Sequence, residues 1–334
     1  MYESFYQLRA KPFALNPDPK FFFGSKGHKR AMAYLEYGLS LGEGFIVITG
    51  EIGAGKTMLV RNLFKKLEHE NVIAAQLVST QLDADDMLRA VTAAFGLEQE
   101  GLNKASLLKK LEGYLLSVVK QGKRPLLLVD EAQNLSPRAV EELRMLSNFH
   151  HAEKPLLQSF LLGQPEFRVT LQSPEMQQLK QRVIASYHLG AMDASETSAY
   201  IQHRLDMVGW KGNPTITEEA YQQVQEYTGG IPRKINTLSD RLMLLGYLSE
   251  KHHFDRAEVQ EVIDDLGQEV AYSTAPNNAK PSLMQQGEMH ANQSHMEEKV
   301  ESMERTLNRM LAMMRKLLQS VGETKSKSST HHEE

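Results

Sequence analysis

Short apolar runs alternate with amphipathic helical patterns over the first 190 residues of the chain. Five of these runs have the length and aliphatic content of buried strands: FIVIT (45–49), VIAAQLV (72–78), LLLVD (126–130), LLQSFLLG (156–163) and IASYHL (184–189). Helical patterns such as TMLVRNLFKKLEHE and KASLLKKLEGYLLSVVKQ lie between them. Because strands that alternate with helices form parallel sheets covered on both faces, the pattern predicts an α/β domain over residues 1–192.

The pattern becomes helical after Gly190. Four helical stretches follow, three of which open with a plausible Ser, Thr or Asp cap: SETSAYIQHRLDMVGW, TEEAYQQVQEYTGG, IPRKINTLSDRLMLLGYLSEKH and DRAEVQEVIDDLG. They predict a small all-helical domain over residues 193–269. Residues 270–294 are polar and have few apolar anchors, which indicates a flexible linker.

A new apolar period begins near the C-terminus. Eight apolar positions follow one another at alternating intervals of four and three residues: Met296, Val300, Met303, Leu307, Met310, Met314, Leu317 and Val321. This heptad predicts a coiled-coil helix over residues 295–322, followed by a disordered polar tail over 323–334. The helix is expected to associate with itself or with a partner helix. A membrane-surface helix is the second interpretation, which the acidic N-terminal half of the segment disfavours.

Composition narrows the function classes. The chain has no cysteine, which excludes disulfides and thiolate metal sites. A formal net charge of -4 gives no general attraction to nucleic acid or to a membrane surface. The N-terminus lacks the apolar run of a secretory signal, and no stretch reaches the about eighteen apolar residues that a spanning helix needs. We therefore expect a cytoplasmic protein that reaches the inner membrane only peripherally, through partners.

The stretch GEIGAGKT, residues 50–57, has the spacing of a phosphate-binding P-loop. Its glycines let the backbone turn tightly, so that N–H groups face phosphate oxygens, and the helix that follows points its N-terminus at them. The lysine is expected to reach the outer phosphates of ATP, and Thr57 to ligate Mg²⁺. The predicted nucleotide-binding residues are Gly50, Glu51, Ile52, Gly53, Ala54, Gly55, Lys56, Thr57 and Met58.

The stretch LLLVDE places two acids at the end of a predicted strand. Open α/β sheets bind ligands at the carboxyl ends of their strands, so Asp130 is the predicted second Mg²⁺ residue. Glu131 is the predicted base, or the group that orients an attacking water. A second carboxylate beside the metal residue favours hydrolysis over nucleotide binding alone.

Three further polar residues are candidates for catalysis. Gln164 ends the strand in FLLGQPEF and is predicted to hold the attacking water or the γ-phosphate. Arg182 precedes the last strand, where it is predicted to face the nucleotide of a neighbouring subunit as an arginine finger, with Arg168 as the alternative. Arg233 follows the Gly-Gly turn in GGIPRKIN, which could aim its guanidinium at the nucleotide from the helical domain.

Together these motifs resemble those of the AAA+ ATPases. The opening MYESFYQLRAKPFALNPDPKFFFGSKGHKRAMAYLEYGL, with LVDEAQNLSPRAVEELRMLSNF and LLGQPEF, narrows the resemblance to the general secretion pathway protein A type. Over about residues 1–267 the chain looks closest to the exosortase-associated (PEP-CTERM system) ATPases. The resemblance implies a P-loop NTPase sheet sandwiched by helices and followed by a helical lid.

The resemblance also implies that the segment before the P-loop contributes to an adenine pocket, with Phe13, Pro19 and His28 as candidates. Secretion proteins of this type continue into a membrane span and a periplasmic wall-binding domain. A polar linker and a heptad segment follow here instead. Peptidoglycan binding is therefore not carried over to this chain.

The expected function is an ATP-hydrolysing motor or switch that serves an envelope-linked export system, of the exopolysaccharide and exosortase-associated or general secretion type. Its expected partners are further copies of itself and proteins of that system. The alternative is a nucleotide-dependent DNA-binding ATPase of the transposition or replication-loading type. The acidic charge and the lack of a basic recognition helix argue against nucleic acid as a partner. A switch that hydrolyses ATP only when a partner completes the site is also open.

Overall fold

The computed structural model describes residues 1–67, 70–78 and 82–274. The helices in this part of the chain are α1 Tyr2–Phe5, α2 Lys26–Leu41, α3 Lys56–Leu67, α4 Ala84–Ala94, α5 Lys104–Lys120, α6 Pro137–Leu146, α7 Pro165–Thr170, α8 Gln177–Lys180, α9 Ala194–Met207, α10 Glu218–Thr228, α11 Pro232–Leu248 and α12 Arg256–Thr274. The strands are β1 Phe45–Gly50, β2 Val72–Val78, β3 Arg124–Asp130, β4 His150–His151, β5 Lys154–Pro155, β6 Gln158–Gly163, β7 Val183–Leu189, β8 Thr215–Ile216 and β9 His253–Phe254.

The predicted coiled-coil helix at 295–322 and the predicted tail at 323–334 lie outside the described residues. The predicted linker at 270–294 lies outside them except for its first five residues. Those five belong to α12, which continues to Thr274.

Five strands form one parallel sheet in the order β2-β3-β6-β1-β7. All five correspond to the apolar runs predicted as strands, and the parallel α/β sheet is confirmed. The register brings the carboxyl ends of the strands to one edge, which pairs Thr49 with Gly163, Gly50 with Leu189 and Val78 with Asp130. This carboxyl edge is the edge at which open α/β sheets bind ligands.

Alternate residues of the central strands pack into two separate hydrophobic clusters, one on each face of the sheet. One cluster contains residues of α4, α5 and α6 together with Val47, Leu127 and Leu161. The other contains residues of α2 and α3 together with Ile48, Leu128 and Leu162. Strands β1 and β6 are buried along their whole length, which explains why they read as continuous apolar runs.

Four helices, α9 to α12, follow the sheet, as the helical patterns predict. The expectation that this segment is all-helical is wrong in one detail. Thr215–Ile216 and His253–Phe254 pair as a short parallel ladder that joins the loops before α10 and α12. These loops carry no strand-like apolar run, so the sequence pattern gives no signal for the pairing. Among the described residues, none of the helices combines the length and hydropathy that crossing a bilayer requires.

The N-terminal segment packs on the helices that follow the sheet. The Tyr2 hydroxyl donates to Asp240 on α11, and the Tyr6 hydroxyl donates to the carbonyl of Lys251 at 2.9 Å. Residues Met1–Asp265 form one compact unit. The predicted division at residue 192 therefore does not part the N-terminus from the helical segment, and the domain boundaries stay predictions.

Candidate active site

The P-loop connects β1 to α3 at the carboxyl edge of the sheet. Gly53 and Gly55 have φ values of 82° and 101°, a left-handed backbone region that other residues adopt only with strain. A Cβ atom on Gly53 would lie 2.4 Å from the Cβ of Arg233, and one on Gly55 would lie 2.6 Å from the Nε2 of His28. Both positions therefore require glycine, for backbone conformation and for space.

Lys56 lies inside the curve of the P-loop with only 6% of its surface exposed. Its Nζ donates to the carbonyl oxygens of Gly50 at 2.6 Å and Glu51 at 3.0 Å. Burial lowers the pKa of Lys56, and the nearby charges of Glu131 and Asp130 partly oppose this. The ammonium has three N–H donors, and two of them bond to these carbonyls. The third can donate to an anion that enters the loop.

Asp130 and Thr57 meet beside this lysine. Asp130 ends β3 and is 4% exposed, and the Thr57 side chain lies near its carboxylate. Burial raises the pKa of Asp130, while the backbone N–H of Glu131, the charge of Lys56 and the Thr57 side chain act in the opposite direction. A carboxylate and a hydroxyl near one another supply oxygen ligands of the kind that Mg²⁺ takes alongside nucleotide phosphates. The residues present therefore fit the predicted metal site.

Glu131 follows with its backbone in the left-handed region, at φ 54°. Such a conformation costs about 1 kcal/mol or more in a residue other than glycine and is concentrated at functional sites. Two hydrogen bonds hold it: the Glu131 N–H donates to Oδ1 of Asp130 at 2.9 Å, and the Asn134 N–H donates to the Glu131 carbonyl at 3.0 Å. The turn directs the Glu131 side chain toward the end of β6.

The Glu131 carboxylate is bound by two side-chain amides. Gln164, at the end of β6, donates from Nε2 to Oε2 of Glu131 at 3.2 Å. Gln133 donates to the same oxygen from the short 3₁₀ turn Ala132–Asn134. Burial by itself would raise the pKa of Glu131, but these two hydrogen bonds and the charge of Lys56 outweigh it, and the pKa is lowered. The carboxylate is therefore ionised at neutral pH, as a proton acceptor must be.

Gln133 is the residue of this site that the sequence analysis missed. It follows Glu131 by two positions in a regular DEAQN stretch, where nothing distinguishes it from a surface residue. Only the left-handed turn at Glu131 brings the two side chains together. A non-glycine residue at positive φ has no reliable sequence signal.

Arg233 lies directly over the P-loop. Its backbone N–H donates to the carbonyl of Gly53 at 3.2 Å, and its Cβ, Cγ and Cδ atoms cover the position that a Gly53 side chain would take. The arginine sits in the first turn of α11 and is exposed. The structure thus brings α11 to the nucleotide-binding loop, while the role of the guanidinium stays a prediction.

Replacing Arg233 by alanine is expected to uncouple the helical segment from the nucleotide, because Arg233 carries a positive charge on a residue of α11 that packs against Gly53 of the P-loop. ATP should then protect α11 less against limited proteolysis, and hydrolysis should fall several-fold. Lys234→Ala is the matched control, since Lys234 is its exposed neighbour. An Arg233→Ala protein with wild-type hydrolysis and wild-type protection by ATP would make Arg233 a bystander.

Arg182 is not brought to the P-loop of its own chain. Its carbonyl accepts from the N–H of Phe45 at 3.0 Å, so it lies at the start of β1, about 16 Å along the strand from the carboxyl edge. Its guanidinium donates to the Ser147 hydroxyl at 2.5 Å and to the side-chain Oδ1 of Asn148 at 2.6 Å. Arg168 is exposed on α7, close to the carboxyl edge. Which arginine acts between subunits stays a prediction.

The segment before the P-loop supports the loop from behind. His28 is 5% exposed, with its Nδ1 2.7 Å from the Ser25 hydroxyl and its ring against Gly55. Burial lowers its pKa to about 4, against the opposing effects of Glu196 and of a hydrogen bond with the backbone of Ala54. The ring is therefore neutral at pH 7.

The three adenine-pocket candidates differ in exposure. Phe13 is 2% exposed and has no free surface to offer a base, so it is a core residue. The carbonyls on either side of it, those of Pro12 and Ala14, accept hydrogen bonds from the buried Arg204 of α9. Pro19 is exposed at the start of a 3₁₀ turn. A contact of Pro19 or His28 with adenine stays a prediction.

Comparison with known proteins places the site within a family. Residues 40–171 match the family model described as "AAA domain". The chain is 38% identical over 260 residues to General secretion pathway protein A of Aeromonas hydrophila. The matched region covers 78% of this chain and 47% of that protein. The chain thus spans about half the length of this curated relative.

Solved structures share the fold. ORC2 of Aeropyrum pernix, in ADPNP–ADP complexes, is 15% identical with a TM-score of 0.57, and the match covers 76% of this chain and 71% of that one. CDC6P from Pyrobaculum aerophilum is 14% identical with a TM-score of 0.59, over 79% and 74% of the two chains. The matched AAA domain contains the P-loop, Asp130, Glu131 and Gln164, and its fold is that of a P-loop ATPase.

Proposed function

We propose that this chain is an ATP-hydrolysing AAA+ motor or switch that serves an envelope-linked export system. The observation that carries the ATPase part is the placement of Glu131, an ionised carboxylate bound by two amides, beside the Asp130–Thr57 pair and the buried Lys56. A protein that only binds nucleotide has no use for this second carboxylate, which is held in a strained backbone conformation at the carboxyl edge.

The chain's residues divide the work of hydrolysis. Lys56 and the N–H groups of the P-loop bind the phosphates of ATP, and Asp130 and Thr57 would hold Mg²⁺. When bound, this ion would neutralise negative charge on the phosphates. The oxygen of the attacking water bonds to the γ-phosphorus while Glu131 accepts a proton from that water. Gln164 orients the water or the γ-phosphate. The bond between that phosphorus and the bridging oxygen breaks, which yields ADP and phosphate.

The export assignment rests on sequence similarity to General secretion pathway protein A over 78% of this chain. The finer assignment, to an exosortase-associated or exopolysaccharide system, rests on the resemblance of the sequence motifs. We propose that the protein works as a homo-oligomer on the cytoplasmic side and meets the inner membrane through protein partners of that system.

A pull-down with the Glu131→Gln protein tests the export assignment. This variant should hold ATP without turning it over, so partners of the ATP-bound state should stay attached, and wild-type protein loaded with ADP is the control. We expect components of an export or polysaccharide system among the captured proteins. Capture of DNA-processing proteins alone, together with salt-dependent DNA binding by the pure protein, would replace this assignment by the replication-loading type.

Arg182→Ala is expected to lower hydrolysis about tenfold or more without a comparable loss of ATP binding, if the arginine acts on the nucleotide of a neighbouring subunit. A mixing experiment decides this. The Lys56→Ala protein binds ATP poorly but retains Arg182, so adding it should partly restore phosphate release by the Arg182→Ala protein. Failure to restore activity would make Arg182 structural, through its bonds to Ser147 and Asn148. Rescue of an Arg168→Ala protein instead would transfer the role to Arg168.

A further inference from the structure

Gln133 closes a ring of three hydrogen bonds with the two other residues at this end of the site. Its Nε2 donates to Oε2 of Glu131 at 2.5 Å, and its Oε1 accepts from the backbone N–H of Gln164 at 3.0 Å. The side chain of Gln164 completes the ring with its own bond to Oε2 of Glu131 at 3.2 Å. The ring ties the turn after β3 to the end of β6.

The chemistry of the ring fixes the orientation of the Gln133 amide. Its carbonyl oxygen faces an N–H donor and its NH₂ group faces a carboxylate. A flipped amide would oppose donor to donor and acceptor to acceptor, so only this orientation satisfies both ends. Gln133 therefore fixes the position of the Glu131 carboxylate relative to the backbone N–H of Gln164, the residue that follows β6.

Both amides of the ring donate to the same carboxylate oxygen of Glu131. The other oxygen, Oε1, is engaged by neither of them. A carboxylate held in this way has one oxygen occupied by fixed donors and presents the other in a defined direction. The left-handed backbone at Glu131 sets the origin of this side chain, and the ring sets its end.

We propose that Gln133 is a positioning residue for ATP hydrolysis, which holds the Glu131 carboxylate so that its Oε1 faces the attacking water. This inference rests on the proposed function, because it gives Glu131 the role of base. In this role Gln133 acts through Glu131, which it contacts directly. General-base catalysis depends on hydrogen-bond geometry before it depends on basicity, so a base that loses this support loses turnover and leaves substrate binding intact.

Two substitutions separate positioning from structural support. Gln133→Met keeps the length of the side chain and removes both hydrogen bonds. Gln133→Glu keeps an acceptor for the N–H of Gln164 but replaces the donor to Glu131 by a second carboxylate, which repels Glu131. We expect both variants to lower kcat about tenfold or more, with KM for ATP and the Kd of a non-hydrolysable ATP analogue unchanged. Gln178→Met, an exposed glutamine on α8, is the matched control and should retain wild-type kcat.

A structural role gives a different result. If Gln133 only tied the turn to β6, Gln133→Met would lose as much single-turnover rate in the Glu131→Gln background as it loses in the wild type. General damage to the site would raise KM and the analogue Kd together with a loss of kcat. Either outcome would overturn the proposal.

A double variant shows whether Gln133 acts through Glu131. In a Glu131→Gln background we expect Gln133→Met to cause no further loss of single-turnover rate, because the base is already absent. A further tenfold loss in the double variant would overturn the proposal. Wild-type kcat in Gln133→Met, in a protein whose Glu131→Gln variant is slow, would also overturn it. The proposed ATPase function would stand in both cases. Wild-type turnover in Glu131→Gln would instead remove the proposed function itself.

Discussion

The Glu131→Gln protein is expected to turn over ATP about a hundredfold more slowly than the wild type, or slower still, while it binds ATP normally. Glutamine has nearly the shape of glutamate, so Asp130 and Thr57 keep their positions and the phosphate-binding loop is untouched. The neutral amide cannot accept a proton from water. Loss of the base therefore falls on the chemical step alone.

Steady-state phosphate release and equilibrium binding of labelled ATP measure the two parts of this expectation. Glu166→Gln is the matched control. It makes the same chemical change in an exposed acid on α7, whose charge also acts on Lys56. Its turnover should stay within about twofold of the wild type, as general acid–base effects require direct contact with the reacting groups. Normal turnover in Glu131→Gln would remove Glu131 from the mechanism.

Replacing Lys56 by alanine is expected to weaken ATP binding by about one to two orders of magnitude. This loss corresponds to the free energy of a charge-assisted hydrogen bond to phosphate in a loop shielded from water. Lys56 is 6% exposed and is the cationic residue of the P-loop itself. Alanine would leave the carbonyls of Gly50 and Glu51 without this donor and would leave the incoming phosphates without a compensating charge.

Titration with labelled ATP measures this loss directly. Lys65→Ala, an exposed lysine in the last turn of the same helix, is the control for net charge and should bind ATP as the wild type does. A thermal unfolding curve for each protein without nucleotide separates lost affinity from lost folding. Unchanged affinity in a folded Lys56→Ala protein would refute the assignment of GEIGAGKT as the phosphate-binding loop.

The parallel sheet and the centre of the site could be predicted because their determinants are local. A strand buried on both faces must be apolar along its whole length, as β1 and β6 are. Gly53 and Gly55 of the P-loop serve a backbone conformation that few other residues adopt. An acid at the end of an apolar strand lies at the carboxyl edge of the sheet, and Asp130 is found there.

Two kinds of contact could not be predicted in this way: those made by an unusual local backbone conformation, and those between distant segments. Gln133 meets Glu131 only because a non-glycine residue adopts a left-handed conformation. Phe13 is a candidate for the adenine pocket from the sequence, but its side chain is buried in the core. Arg204, 191 positions further along the chain, donates hydrogen bonds to the carbonyls on either side of Phe13. Periodicity reports the face that an element buries, and it does not report which remote side chain covers that face.

The central claim is that these residues form one site that hydrolyses ATP. A single-turnover experiment tests it most directly: wild-type protein in excess is loaded with γ-labelled ATP, Mg²⁺ is added, and the ratio of free phosphate to ATP is followed with time. We expect the bound ATP to be converted to ADP and phosphate, chelation of Mg²⁺ to stop the conversion, and Glu131→Gln to slow it about a hundredfold. Recovery of the bound ATP intact from wild-type protein, or equal rates for wild type and Glu131→Gln, would show that these residues do not form a hydrolytic site.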